Sequence, residues 1–313
     1  MMLSEEVAPQ DNEWEEVIRW HFAIVGLDIQ QDEFEIAPGV TLKRINNSPS
    51  FQSLSEHLSD PMTIGLVQHY VNQASLRFEL VIDTEYLEEN ISVPELADLV
   101  VTAIGVKTES DIICLTTCEE SWGSINRLTN QKFKTRIENA PYVPKLYGPT
   151  VVSDNDLTWI KENLRSILDL NTDTKFATAF KSFSSQMHCA DPRLAVAQTW
   201  AGIEALIGGK FQASYSLSLL AALLLEPRGA SCEKRRKEIR SLYDRRSDII
   251  HGRSVKTDLV TGHAVDARRL LAQLLAKLIE LGRVYDDDDI HTLATYLPQN
   301  PDDFQRRPLS TPN

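Results

Sequence analysis

Near residue 150 the hydrophobic pattern changes its period, and no single layer of secondary structure accommodates both halves of the chain. Before that point, apolar residues come in short runs. Residues 21–30 (HFAIVGLDIQ), 74–83 (ASLRFELVID) and 111–117 (DIICLTT) are rich in β-branched and aromatic side chains and predict strands. Pro38-Gly39 and the cluster Asn46-Asn47-Ser48-Pro49 predict turns. Residues 93–106, with Pro94 at a first helical position, predict a helix between two strands. Residues 13–140 therefore read as a small α+β domain, an N-terminal module with no evident catalytic chemistry of its own.

Residues 141–151 form a proline-rich linker, since PYVPKLYGP at 141–149 holds three prolines and one glycine. Beyond it the period is 3.6. Ser153 can cap a helix that carries Leu157, Ile160, Leu164, Ile167 and Leu168 on one face. Phe176, Phe180, Phe183 and Met187 mark a second helix. Asp191-Pro192 supplies the cap and first position of a third, which runs through Val196, Trp200, Ile203 and Ile207 to Gly208-Gly209. A fourth covers 213–225 and stops at Pro227, a fifth runs from about 231 to 251, and a sixth covers 264–281. Residues 152–284 thus form an all-α helical bundle. Residues 285–313, with Asp286–Asp289 followed by prolines, read as a solvated acidic tail.

Composition excludes several function classes. The 313 residues include 32 Lys plus Arg and 45 Asp plus Glu, a formal charge of −13. Such a chain does not coat nucleic acid by bulk charge, because phosphates must be met by clustered cations. The N-terminus MMLSEEVAPQDNEWEE has no apolar core and no cleavage site for secretion, and no apolar run approaches a membrane span, so a cytoplasmic protein without a membrane association is expected. Four cysteines are too few for a disulfide framework. The Cys114-x3-Cys118 pair has no second pair behind it, so neither metal nor cofactor is expected. Gly208-Gly209-Lys210 lacks P-loop spacing. Trp122 and the basic stretch 127–136 could touch RNA, but read better as a solvated loop before the linker.

The fifth helix is different. Between Glu233 and Lys256 nine basic residues face four acidic ones, a net of +5, so the other 289 residues sum to −18. That stripe is either a surface for a polyanion or a solvated helix face laced with pairs such as Arg240–Asp244. Within it, Arg246 and His251 stand in an R-x4-H arrangement whose spacing alone arises by chance in a chain with 19 arginines and seven histidines. The surroundings are more specific. Residues 241–252, SLYDRRSDIIHG, resemble the LYD-x-RS-x-I-V-H-G signature of Apea-like HEPN domains, with Ile250 in place of valine. Upstream, Trp200-Ala201-Gly202-Ile203-Glu204-Ala205-Leu206 is similar to the W-x-x-x-E-A-L helix of that family, and Phe211 with the small-and-leucine helix 213–225 fits too. The likeness covers about residues 152–284. Many HEPN nucleases carry Asn, Asp or His after the motif arginine, whereas this chain has Ser247, as is usual in the Apea-like branch.

The fold class is thus an α+β N-terminal domain, read from the residue pattern and outside the likeness, followed by an all-α HEPN-type helical bundle. The resemblance implies that this bundle cleaves RNA without a metal, as a homodimer whose motif helices form one composite cleft. Cleavage by the RNA's own 2′-OH needs a base, an acid and a cation on the phosphorane. His251 can serve either proton role and Arg246 can hold non-bridging oxygens. Asp248 can orient the ring, and Ser247 can bond it or the substrate. Glu204 reads as a partner for a base of the fifth helix, because a buried acid without one is costly. Arg240, Arg245 and Arg253 are candidate RNA contacts. Quieter roles stay open: His251 can simply cap the last turn beside Gly252, and Arg246 can be an interface salt bridge. The family setting implies a phage-defence or toxin effector restrained by its N-terminal half or by a regulatory protein partner. The alternative is a non-catalytic binding or scaffold module that keeps the dimer.

Overall fold

The computed structural model describes residues 17–87, 91–129, 131–138, 148–207, 213–250 and 256–285. The chain divides into two compact units, with the boundary between Leu164 and Arg165.

The N-terminal unit is built on β1 (Arg19–Val25), β2 (Leu27–Ile29), β3 (Glu33–Ala37), β4 (Val40–Arg44), β5 (Leu76–Asp83), β6 (Ile113–Cys118), β7 (Thr135–Ile137) and β8 (Thr150–Val152). Its helices are α1 (Phe51–His57), α2 (Pro61–Asn72) and α3 (Val93–Thr108). Six strands form one sheet in the order β3-β4-β5-β1-β6-β7, with every neighbouring pair antiparallel. β1, β5 and β6 are central and buried along most of their length, which is why they read as near-continuous apolar runs. α3 buries almost every residue from Leu96 to Val106 and packs on these strands.

Several sequence expectations change here. The run 21–30 is two strands: Gly26 sits at φ 85°, which favours a residue without a Cβ, and breaks it. Past the break, β2 leaves the large sheet and pairs in parallel with β8, from Leu27↔Thr150 to Ile29↔Val152. Thr150 and Val151 are thus strand residues; of the expected linker, 141–147 lie outside the described residues. The β3–β4 hairpin around Pro38-Gly39, and helices α1 and α2, were not legible as elements. β3 alternates poorly, with burial at Ile36 alone, and α1 is only seven residues long. Trp122 is fully buried, so it offers no surface for a base. Its indole N–H donates to the His21 carbonyl at 3.0 Å. Beside it the buried Glu79 carboxylate accepts from Ser121 Oγ and Trp122 N, each at 2.8 Å, and lies 3.3 Å from His21 Nδ1. A buried carboxylate needs such partners, and here they pin the loop after β6 to β5.

Helix α4 (Asp154–Leu170) straddles the boundary. Ser153 starts it as expected: its hydroxyl accepts from Asp156 N at 3.2 Å, and the Asp156 carboxylate accepts from Ser153 N at 3.2 Å. The C-terminal unit adds α5 (Thr174–Ser185), α6 (Pro192–Ile207), α7 (Ala213–Leu225), α8 (Ala230–Ile250) and α9 (Thr257–Leu281). Met187 falls in a 3₁₀ turn after α5 rather than within the helix. The expected cap of α6 is present, with Asp191 accepting from Arg193 N at 2.8 Å. α9 begins two turns earlier than residue 264. Val260 and His263 continue the buried stripe through Ala267, Leu270, Leu271, Leu274 and Leu278, and neither a histidine nor Gly262 advertises a core face in sequence. α6 is the hub, packing on α5, α8 and α9. Residues 286–313, the expected tail, lie outside the described residues. Among the described residues, no helix is long and apolar enough to cross a membrane.

Two glycines make the packing testable. A Cβ at Gly202 on α6 would lie 2.8 Å from Ser182 Cβ, 3.1 Å from Leu271 Cδ2 and 3.3 Å from Ala179 Cα, whereas one at Gly262 would meet nothing within 4 Å. Gly202→Ala should destabilise the protein by about 1–3 kcal/mol through overpacking. Gly262→Ala should stabilise it by about 0.5–1 kcal/mol through helix propensity. Urea unfolding of both variants checks the pair; equal effects would contradict the packing of α6.

Candidate active site

α8 presents its buried edge through Cys232, Ile239, Leu242 and Ile249. Arg246 lies one turn from Leu242 and from Ile249, so its guanidinium is carried toward α6 rather than into solvent. There it meets Glu204: Nη2 lies 3.1 Å from Oε1 and donates to Oε2 at 3.3 Å. About a quarter of the Arg246 side chain and a third of the Glu204 side chain stay exposed, so the pair faces an accessible surface. Arg246 Nε has no acceptor among the described residues.

Two aromatic residues frame the pair. The Arg246 guanidinium lies 5.5 Å from the Tyr243 ring centre. Burial, together with the nearby Glu204 carboxylate, pushes the Tyr243 phenol above its ordinary value. Tyr243 meets the fully buried Trp200 edge-on at 5.3 Å. Trp200 and Glu204 are four residues apart on α6, and Tyr243 and Arg246 three apart on α8, so each helix brings one aromatic and one charged group to the same face. The Trp200 indole then donates to His263 Nε2 at 3.0 Å, which ties α6 to α9. A second arginine, Arg193 on α6, donates from Nη1 to the Ile249 carbonyl at 2.6 Å. That carbonyl belongs to the last turn of α8, where orphan acceptors and the negative end of the helix dipole favour a cation.

The other candidates are distributed unevenly. Ser247 and Asp248 are half-buried on the last turns of α8, while Arg240 and Arg245 are exposed. Arg245 Nε donates to the Ser241 carbonyl at 3.3 Å. His251 and Arg253 lie outside the described residues. The basic stripe is partly self-neutralised, although not by an Arg240–Asp244 pair, which is absent among the described residues. Instead Glu233 pairs with Arg236 at 2.7 Å and Lys237 at 3.5 Å, and Glu238 with Arg235 at 3.4 Å and Lys234 at 4.0 Å. Sequence reasoning placed Glu204 opposite the fifth helix, and the structure brings it to Arg246. It missed Tyr243, Arg193 and His263 as parts of this network. The i, i+4 and i, i+3 spacings carried a signal for Tyr243; nothing local marks Arg193.

Elsewhere, Cys114 and Cys118 are buried, and burial drives the Cys118 thiol up to about 12. Among the described residues no group of three His, Cys, Asp or Glu is placed to hold a metal ion. No protein-family model matches this chain, and neither a curated protein nor a solved structure does.

Burial, aided by the Arg245 charge and opposed by Asp266, pulls the His263 imidazole from 6.5 to about 4. The unfolded chain therefore takes up a proton between about pH 6.5 and 4 that the folded chain refuses. Stability from this residue falls as the pH drops through that window. Replacing His263 by Gln keeps an acceptor for Trp200 and removes the titration, so the urea midpoint should drop less between pH 7 and 5 than in the wild type. Parallel pH profiles would contradict this origin.

Proposed function

We propose that this chain is a metal-independent endoribonuclease of the Apea-like HEPN type, acting as a homodimer in which two α8 helices form one cleft. One observation carries the reading: inside the signature that resembles this family, the structure seats Arg246 on α8 against Glu204 of the preceding motif helix. Such a guanidinium is held in place yet remains partly exposed, as a residue that must meet a phosphate requires.

The chemistry follows from the residue types. A base removes the proton of the 2′-OH, whose oxygen attacks the adjacent phosphorus. An acid protonates the departing 5′-oxygen, leaving a 2′,3′-cyclic phosphate and a 5′-OH. The imidazole is the side chain whose unperturbed pKa lies nearest neutrality, so His251, which follows α8 in the sequence, can take either proton role. Two copies supply one histidine for each proton role. Arg246 holds the non-bridging oxygens, while Ser247 and Asp248 orient His251 or the substrate. Arg240, Arg245 and Arg253 supply charge along the RNA. The N-terminal unit restrains the nuclease or docks a regulatory protein, a role suited to a phage-defence or toxin effector in the cytoplasm.

One observation favours a second reading, a non-catalytic HEPN binding or scaffold module: Glu204 already neutralises Arg246 within a single chain. Cleavage of total tRNA and a long mRNA in EDTA separates the two. Wild-type protein should yield 2′,3′-cyclic phosphate ends, and His251→Ala should lower the rate by roughly 10²–10⁴-fold, the usual worth of a proton-transfer group. Arg246→Ala should abolish measurable cleavage. Equal activity in all three proteins would remove both residues from the mechanism, and silence of a dimeric wild type would favour the scaffold.

A further inference from the structure

Charge is distributed unevenly in the N-terminal unit. Residues 1–164 hold 11 basic and 27 acidic residues, a net of −16, yet four of those 11 cations fall within residues 127–136. From Ser121 to Ile137 there is no acid at all. So strong a local reversal of sign focuses an anion onto one place.

The backbone decides how these cations are displayed. β7 is an edge strand, paired with β6 from Thr116↔Ile137 to Cys118↔Thr135. The chain entering it is anchored at Gln131, Phe133 and Lys134. Phe133 is buried, packs against the His57 ring at 5.4 Å, and donates its N–H to the His57 carbonyl at 3.0 Å. His57 Nδ1 lies 2.7 Å from the Gln131 carbonyl, and the Lys134 N–H is fixed by Glu119 at 2.9 Å. Exposure then alternates along 132–136, with Lys132, Lys134 and Arg136 outward and Phe133 and Thr135 inward. Two residues of extended chain span roughly 6.6 Å, the order of the separation between neighbouring phosphates in a nucleotide strand.

All three cations line one open cleft of about 480 Å³, walled by Trp20, Ser59, Asp60 and Thr135. Asp60 stays ionised there and offsets one of the three charges, while its carboxylate also caps the start of α2. It accepts from Thr63 N at 2.8 Å and Thr63 Oγ1 at 2.6 Å, which hold it below the usual carboxylate range. Lys132 Nζ leans on the Leu58 carbonyl at 3.2 Å and the Ser55 carbonyl at 3.4 Å, and Arg136 also feels Glu138. Trp20 and Phe133 are buried, so neither ring is open for a base to stack on.

We infer that the cleft beside β7 is a binding site for single-stranded RNA, in which Lys132, Lys134 and Arg136 each meet one of three successive phosphates, without reading the bases. The site rests on the ribonuclease reading only for its choice of ligand. It gives the N-terminal unit a substrate-capturing role of its own.

The test uses the full chain and a fluorescent 2′-O-methyl oligonucleotide, which cannot be cleaved by 2′-OH attack, so binding is read apart from catalysis. Affinity is measured by anisotropy from 50 to 200 mM salt. Each phosphate neutralised on a single strand contributes about −0.7 to the slope of log K against log salt. The double variant Lys134→Gln/Arg136→Gln should therefore flatten the wild-type slope by about 1.4, with the same change for oligo-U and oligo-A. Lys43→Gln on β4 should leave it unchanged, and matching thermal melts establish that the double variant is folded. An unchanged slope in a folded double variant overturns the inference, whether or not the protein cleaves RNA. So does a labelled oligo-glutamate peptide that binds more tightly than RNA and loses its affinity in the double variant. A flattened slope in a protein that never cleaves RNA supports the site and counts only against the nuclease.

Discussion

The C-terminal unit is held together at Trp200. Its fully buried ring meets Tyr243 of α8 edge-on at 5.3 Å, and its indole N–H donates to His263 of α9. A buried indole donor without an acceptor would be costly, and His263, on the buried stripe of α9, supplies that acceptor. One turn further along α6, Glu204 reaches Arg246. The placement of the motif arginine therefore depends on an aromatic residue that has no part in the proposed chemistry. Because Trp200 touches both Tyr243 and His263 directly, substitutions among the three are expected to be non-additive in stability.

Histidine illustrates how environment decides chemistry. His263 is buried, accepts a hydrogen bond and titrates near 4, so it is a neutral core residue at any ordinary pH. His57 packs against Phe133, and His21 lies against the buried Glu79 carboxylate. Each is absorbed by structure. The residue that our proposal needs for proton transfer is the one placed by sequence after the last turn of α8, where Arg193 has already satisfied the Ile249 carbonyl.

The two units meet the same electrostatic problem differently. In α8, Glu233 and Glu238 pair off four of the basic side chains along the helix itself, which leaves Arg240 and Arg245 as its exposed cations nearer the motif. In the acidic N-terminal unit, four of the 11 cations fall within residues 127–136, and alternation along 132–136 turns three of them outward. The first device tunes a long helix by i, i+3 and i, i+4 pairing. The second builds a local field out of a three-residue strand and its lead-in.

What the sequence determined by itself was periodic and local. The 3.6 repeat from residue 153 onward, the Ser153 and Asp191 caps, the stop at Pro227 and the central strands of the sheet follow from neighbours within a turn or a strand, and all are present. So does the pairing of Glu204 with the fifth helix, because a carboxylate on an apolar helix face has few other ways to be stable. Tertiary structure alone decided the rest. Gly26 sends β2 away from β1 toward a strand more than 120 residues later, and Trp122 enters the core because Glu79 and the His21 carbonyl wait there. α9 starts at Thr257, and its buried His263 meets Trp200 of α6. Lys132, Lys134 and Arg136 come to line one cleft only because a short edge strand and its lead-in align them. These outcomes depend on groups distant in the chain that meet only once it has folded, and no local pattern records where such a partner will be.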